Sequence, residues 1–148
     1  MKKPIFLFLS LLILGGGYYA FKTYNKKHIN VAETKAFIKI TAADLFNEFD
    51  SNETEAMNKY ADKIVEVMGQ VTSTDLSNAK EPQLLLKGNG DNGFIRCGFK
   101  PEELEKMNNL DTKTILLKGE CKGMNSAEDL DLLADVDVVL SKCIIIED

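Results

Sequence analysis

Hydrophobic and polar residues change rhythm several times along this chain, and each change marks an element. Residues 5–21 form an uncharged, mostly apolar run between Lys2 and Lys3 on one side and Lys22, Lys26 and Lys27 on the other, with Tyr18 and Tyr19 near its end. As a helix that run spans about 25 Å, enough to cross a hydrocarbon core of roughly 30 Å once the flanking lysines snorkel. Residues 25–40 are polar with scattered apolar side chains and read as a spacer. Behind Thr41 and Asp44, an approximate capping box, Leu45, Phe46, Phe49, Ala56, Met57 and Tyr60 share one face at helical spacing. One amphipathic helix is therefore predicted over residues 42–61.

The period then drops to two. Val65, Val67, Gly69 and Val71 alternate with Glu66, Met68, Gln70 and Thr72, a half-buried strand in which Gly69 would permit a bend or bulge. Residues 73–83 carry turn formers and Pro82, residues 84–87 make a short second strand, and residues 88–93 supply a glycine- and Asn/Asp-rich hairpin turn into a third strand at 94–99. Pro101 opens a short helix at 102–107, a fourth strand runs over 115–121, and a fifth over 136–146. Between the last two lies an acidic insert, residues 125–135. With Asp137, its Asp129, Asp131 and Asp135 invite a calcium reading, but the spacing of a calcium loop is missing, and a solvated acidic loop is the reading adopted.

The apolar run makes the chain a signal anchor (1–24), a linker (25–40) and one domain (41–148). Gly15, Gly16 and Gly17 leave a removed signal peptide as the rival reading, and the run lacks the cysteine that a lipid anchor would need. Lysines nearly tie across the span. The domain is placed outside the cytoplasm because an N-terminal apolar segment is normally read as an export signal and no nucleotide-binding motif follows. Charge sharpens the picture: beyond His28 stand 13 basic and 23 acidic residues, a net of −10. Such a domain repels phosphate backbones at long range, which argues against nucleic acid as a partner.

Chemistry is mostly excluded. His28, the only histidine, sits in the spacer, so no Ser-His-Asp or Cys-His device fits inside the domain. The stretch 88–93 has no Gly-Lys-Ser/Thr ending and leads into a strand, which removes a phosphate loop. Cys97, Cys121 and Cys143 lack the paired spacings of zinc sites. Two readings of them stay open: a Cys121–Cys143 disulfide in an oxidising compartment, each cysteine lying near the end of a neighbouring strand, or three small buried apolar residues. Cys97, between Ile95 and Phe99, reads as core. No catalytic, cofactor-binding or metal-ligating residue is expected.

Five strands with a helix between the third and fourth match the five-stranded Greek-key barrel of the OB-fold. The residues also carry a resemblance: Asn52-Glu53, Ala56, Tyr60, Val65-Glu66-Val67-Met68-Gly69-Gln70-Val71, Ile95-Arg96-Cys97, Lys118-Gly119-Glu120-Cys121-Lys122-Gly123 and Leu140-Ser141-Lys142-Cys143. In that order they resemble the tRNA-anticodon-binding-like (tRNA_anti-like) OB-fold family of small bacterial exported or membrane-bound domains. The resemblance implies a mainly β architecture, an amphipathic helix followed by an OB barrel, and places Cys121 and Cys143 at cysteine positions of its pattern. If the barrel binds through the usual face of its second and third strands, Lys87, Phe94 and Arg96 are the candidates. The expected function is a non-enzymatic, membrane-anchored module for an envelope protein or small ligand. The alternative is a single-stranded nucleic-acid binder.

Overall fold

The computed structural model describes residues 31–90, 93–108, 110–125 and 136–146. The expected anchor, His28, residues 91–92 of the hairpin turn and the acidic stretch 126–135 lie outside them. Among the described residues, no helix is long and apolar enough to cross a membrane.

The spacer ends sooner than its polarity suggested. Ile38–Thr41 is a strand, β1, lying parallel to β2 (Ile64–Asp75) in the register Ile38↔Val65 to Thr41↔Met68. Thr41 then turns the chain into helix α1 (Ala42–Ser51): its Oγ1 accepts from the Asp44 N–H at 3.1 Å and donates to the Asp44 carboxylate at 2.6 Å. The single helix expected over 42–61 is two. Asn52 closes α1 by donating its N–H to the Glu48 carbonyl at 3.2 Å, and opens α2 (Glu53–Tyr60) by accepting from the Glu55 N–H at 3.2 Å. An Asn side chain competes with the helical backbone in this way, so the break has a local cause. The predicted apolar face survives the break, with Leu45, Phe46, Phe49, Ala56 and Tyr60 all buried.

Strand β2 is long because it serves two neighbours. Its first half pairs antiparallel with β5 (Thr114–Asn125), from Ile64↔Glu120 to Gln70↔Thr114; its second half pairs antiparallel with β3 (Gln83–Lys87). Between those halves the register slips at Val71/Ser73, which lets the strand turn a corner. The bulge is thus not at Gly69, whose role is close approach. A Cβ built there would stand 2.7 Å from the Cβ of Ala42, so the missing side chain lets α1 start against the barrel. From β3 the sheet continues antiparallel to β4 (Gly93–Phe99), parallel from β4 to β6 (Val136–Ile146), and antiparallel from β6 back to β5. The order β2-β3-β4-β6-β5, closed by β2–β5, is a five-stranded barrel of OB topology, with β1 added at its edge. The helix between its third and fourth strands is a 3-10 helix, Pro101–Met107.

Alternation sorts side chains between the barrel interior and its surface. Val65, Val67, Val71, Leu84, Leu86, Ile95, Leu117, Val138 and Leu140 fill the interior, with α1 and α2 adding Leu45, Phe49 and Tyr60 to the same core. Cys97, Cys121 and Cys143 join them as free, fully buried thiols. The Cys121–Cys143 bridge is not formed, and the register gives the reason. Cys121 faces Leu140 across β5–β6, whereas Cys143 packs over Gly119, where a Cβ would meet its Sγ at 2.6 Å. Two residues of offset puts the pair on a diagonal, beyond comfortable disulfide reach. The neighbouring thiol of Cys143 is Cys97; burial first, and that neighbour second, push the Cys97 thiol well above its ordinary value.

Candidate ligand face of the barrel

The outward positions of β3 and β4 are Gln83, Leu85 and Lys87, and Phe94, Arg96 and Gly98. Antiparallel pairing sets Lys87 opposite Phe94, Leu85 opposite Arg96 and Gln83 opposite Gly98, while parallel pairing adds Asp137 beside Phe94 and Val139 beside Arg96. Period-two alternation in three strands therefore brings Lys87, Phe94 and Arg96 onto one face, in two adjacent rows. Lys87 is exposed, and Phe94 and Arg96 are half-buried.

Arg96 is not free on this face. Its Nε donates to Asp137 Oδ2 at 2.7 Å, its Nη2 donates to the same oxygen, and its Nη1 reaches Gln83 Oε1 at 3.3 Å. The Asp137 side chain is only 3% exposed, so the guanidinium neutralises a carboxylate that would otherwise be buried alone. Its second oxygen, Oδ1, is buried without a hydrogen-bond partner among the described residues. The sequence pattern groups Asp137 with the solvated acidic residues. The structure instead makes it an internal counter-ion, because it occupies an outward position of β6 next to β4. Alternation within β6 hinted at its orientation, but the parallel β4–β6 register that delivers it to the only arginine joins residues 41 apart.

A second charged group lies across β5 and β6. Glu120 is buried and accepts from Lys122 at 2.8 Å and from Lys142 at 2.9 Å, and Lys122 also reaches Asp62 at 2.8 Å. Burial pushes the Glu120 carboxyl up, but the two lysines outweigh it and leave it below its ordinary value. Glu120, Lys122 and Lys142 come from the Lys118–Gly123 and Leu140–Cys143 motifs, which the structure thus identifies as parts of one ion cluster. A cleft of about 660 Å³ lies along α1 and α2 and is lined by Asp44, Glu48 and Glu55, with Lys59 bonded to Glu48 at 2.7 Å. Among the described residues, no three His, Cys, Asp or Glu side chains converge as metal ligands would.

A closed five-stranded Greek-key barrel with an open face on its second and third strands defines an OB-fold binding domain. The chain belongs to the tRNA_anti-like family, whose model matches residues 1–135. Among solved structures it is similar to a Klebsiella pneumoniae lipoprotein proposed to bind nucleic acid, at 13% identity and a TM-score of 0.51, over 79% of this chain and 95% of that one. It also matches a proposed aspartyl-tRNA synthetase of Leishmania major, at 13% identity and a TM-score of 0.44, over 90% of this chain and 26% of the synthetase. An OBody bound to hen egg-white lysozyme is similar at 14% identity and a TM-score of 0.41, over 61% of this chain and 87% of that one. The chain thus spans about a quarter of the synthetase and nearly all of the lipoprotein. No curated protein matches.

Proposed function

We propose that this chain is a membrane-tethered OB-fold module that presents the β3–β4–β6 face outside the cytoplasm and binds a small ligand or envelope protein there without catalysing a reaction. The apolar residues 5–21 between lysines support the tether, and the spacer after them supplies reach. The observation that carries the choice of ligand is the Arg96–Asp137 pair. The only arginine, the residue best suited to gripping phosphates, is committed to an internal carboxylate on the face where OB barrels hold nucleic acid. Phe94 and Lys87 remain as an aromatic and a cation for a ligand of modest size.

A second reading, single-stranded nucleic-acid binding, is favoured by the likeness to the Klebsiella lipoprotein and by the family's fold. Fluorescence anisotropy with labelled single-stranded oligonucleotides separates the two. The proposal expects no saturable binding at about 150 mM salt, where surface charges are screened beyond roughly 8 Å. The rival expects salt-sensitive binding that Arg96→Ala abolishes, and that result would overturn the proposal.

A further inference from the structure

At the opposite end of the same face from Lys87, a cleft of about 340 Å³ opens between the loop that joins β2 to β3 and the chain leaving β4. Lys80, Glu81 and Gln83 line one wall, and Lys100, Ser141 and Lys142 the others. Lys80, Lys100 and Lys142 stand against Glu81 and against Glu120 paired to Lys142, a net positive charge that is a local reversal in a domain whose residues beyond His28 carry a net of −10. That reversal matters at short range. Charges farther than roughly 8 Å are screened at physiological salt, so a single anion in the cleft feels the lysines while an extended polyanion also meets the acidic surface.

The hydrogen-bonding capacity of the cleft is also one-sided. Lys80 and Lys100 have no ion-pair partner among the described residues. Lys142 is held by Glu120 at 2.9 Å in a left-handed backbone conformation with φ of 53°. Gln83 gives its Oε1 to Arg96, which leaves its Nε2 hydrogens as donors. The Ser141 hydroxyl is buried without a partner among the described residues. Ammonium groups, an amide N–H₂ and a hydroxyl are what a compact, multiply charged oxyanion requires. Lysine supplies them as point charges, without the planar fork that would select a carboxylate.

We infer that this cleft is a binding site for a phosphate group, free or as a simple monoester, with Lys80 and Lys100 as its principal ligands and Gln83 and Ser141 as donors. The inference deepens the proposed function by giving one end of its ligand face a chemical preference. It does not depend on the membrane tether, because the titration below is blind to topology: a cytoplasmic domain would overturn the proposed function and leave this site standing.

The test is an NMR titration of the uniformly labelled full chain in a non-ionic detergent, first with inorganic phosphate, then with glycerol phosphate, at constant ionic strength. Saturable shifts are expected, centred on residues 80–83, 98–101 and 141–142. The double variant Lys80→Ala/Lys100→Ala weakens binding roughly tenfold, the sum of two exposed ion pairs. Glu81→Gln strengthens it, and Lys35→Ala, an exposed lysine outside the cleft lining, leaves it unchanged. Tighter binding of glycerol phosphate assigns the site to an ester; equal or weaker binding assigns it to the free anion. Shifts that never saturate, that spread over lysines throughout the domain, or that persist undiminished in a folded double variant would overturn the inference.

Discussion

Replacing Arg96 by alanine separates a structural arginine from a ligand-binding one. The Asp137 side chain is 3% exposed, and among the described residues only Arg96 hydrogen-bonds to it. Removing one member of a buried ion pair costs about 3–5 kcal/mol, chiefly because the remaining charge is left unsolvated. The Arg96 side chain is 40% exposed, so water recovers part of that loss, and the discounted cost is about 2 kcal/mol. With a urea dependence of about 1.5 kcal/mol per M for a domain of this size, the unfolding midpoint falls by roughly 1.3 M. Asp137→Asn added to the same variant removes the stranded charge at constant shape and regains about half of the loss. Urea titration followed by far-UV circular dichroism reads both effects. A midpoint unchanged within about 0.3 M, or a double variant no more stable than the single one, would show that Arg96 does not serve Asp137.

Three further expectations test the scaffold. Gly119→Ala places a Cβ 2.6 Å from Cys143 Sγ and costs about 1–3 kcal/mol by overpacking, and adding Cys143→Ala recovers most of it in thermal unfolding; no recovery would contradict the packing. Asn52→Ala removes the cap between α1 and α2 and lowers stability by about 1 kcal/mol, which a denaturant midpoint measures; an unchanged midpoint would contradict the cap. Glu120 is held below its ordinary value, so the native state binds fewer protons there than the unfolded chain. Its contribution is present above about pH 4.5 and lost as pH falls through the lower native value. Glu120→Gln should therefore flatten the acid limb of the stability profile, and an unaltered limb would remove Glu120 from its cause.

What the sequence made legible was local. Alternation at Val65–Val71 and Ile95–Phe99, and the helical face from Leu45 to Tyr60, are each set by neighbours a few residues apart, and each stands in the structure. The break at Asn52 was readable in principle from Asn52 and Glu55, a cap signal three residues apart inside the longer periodic pattern. Strand β1 was hidden because Ile38 and Ile40 alternate over only four residues, and its partner, the edge of β2, is supplied by the fold. Distance along the chain hid the rest. Lys87, Phe94 and Arg96 could be placed on one face from strand alternation, but Asp137 reaches Arg96 only through a parallel pairing that no local pattern announces. The same distance left the cysteines between two readings, a Cys121–Cys143 bridge or three buried apolar side chains, because the two-residue offset that seats Cys143 over Gly119 belongs to the register.

The central claim, a tethered barrel displayed beyond the cytoplasm, is tested most directly by protease access to a C-terminal tag on the full chain in its native membrane. The account predicts that the chain stays in the membrane fraction through an alkaline wash. It also predicts that protease removes the tag from cells with a permeabilised outer layer and an intact inner membrane, while a cytosolic marker survives. A tag digested only after the inner membrane is broken, or a chain that leaves the membrane fraction in the wash, would contradict it.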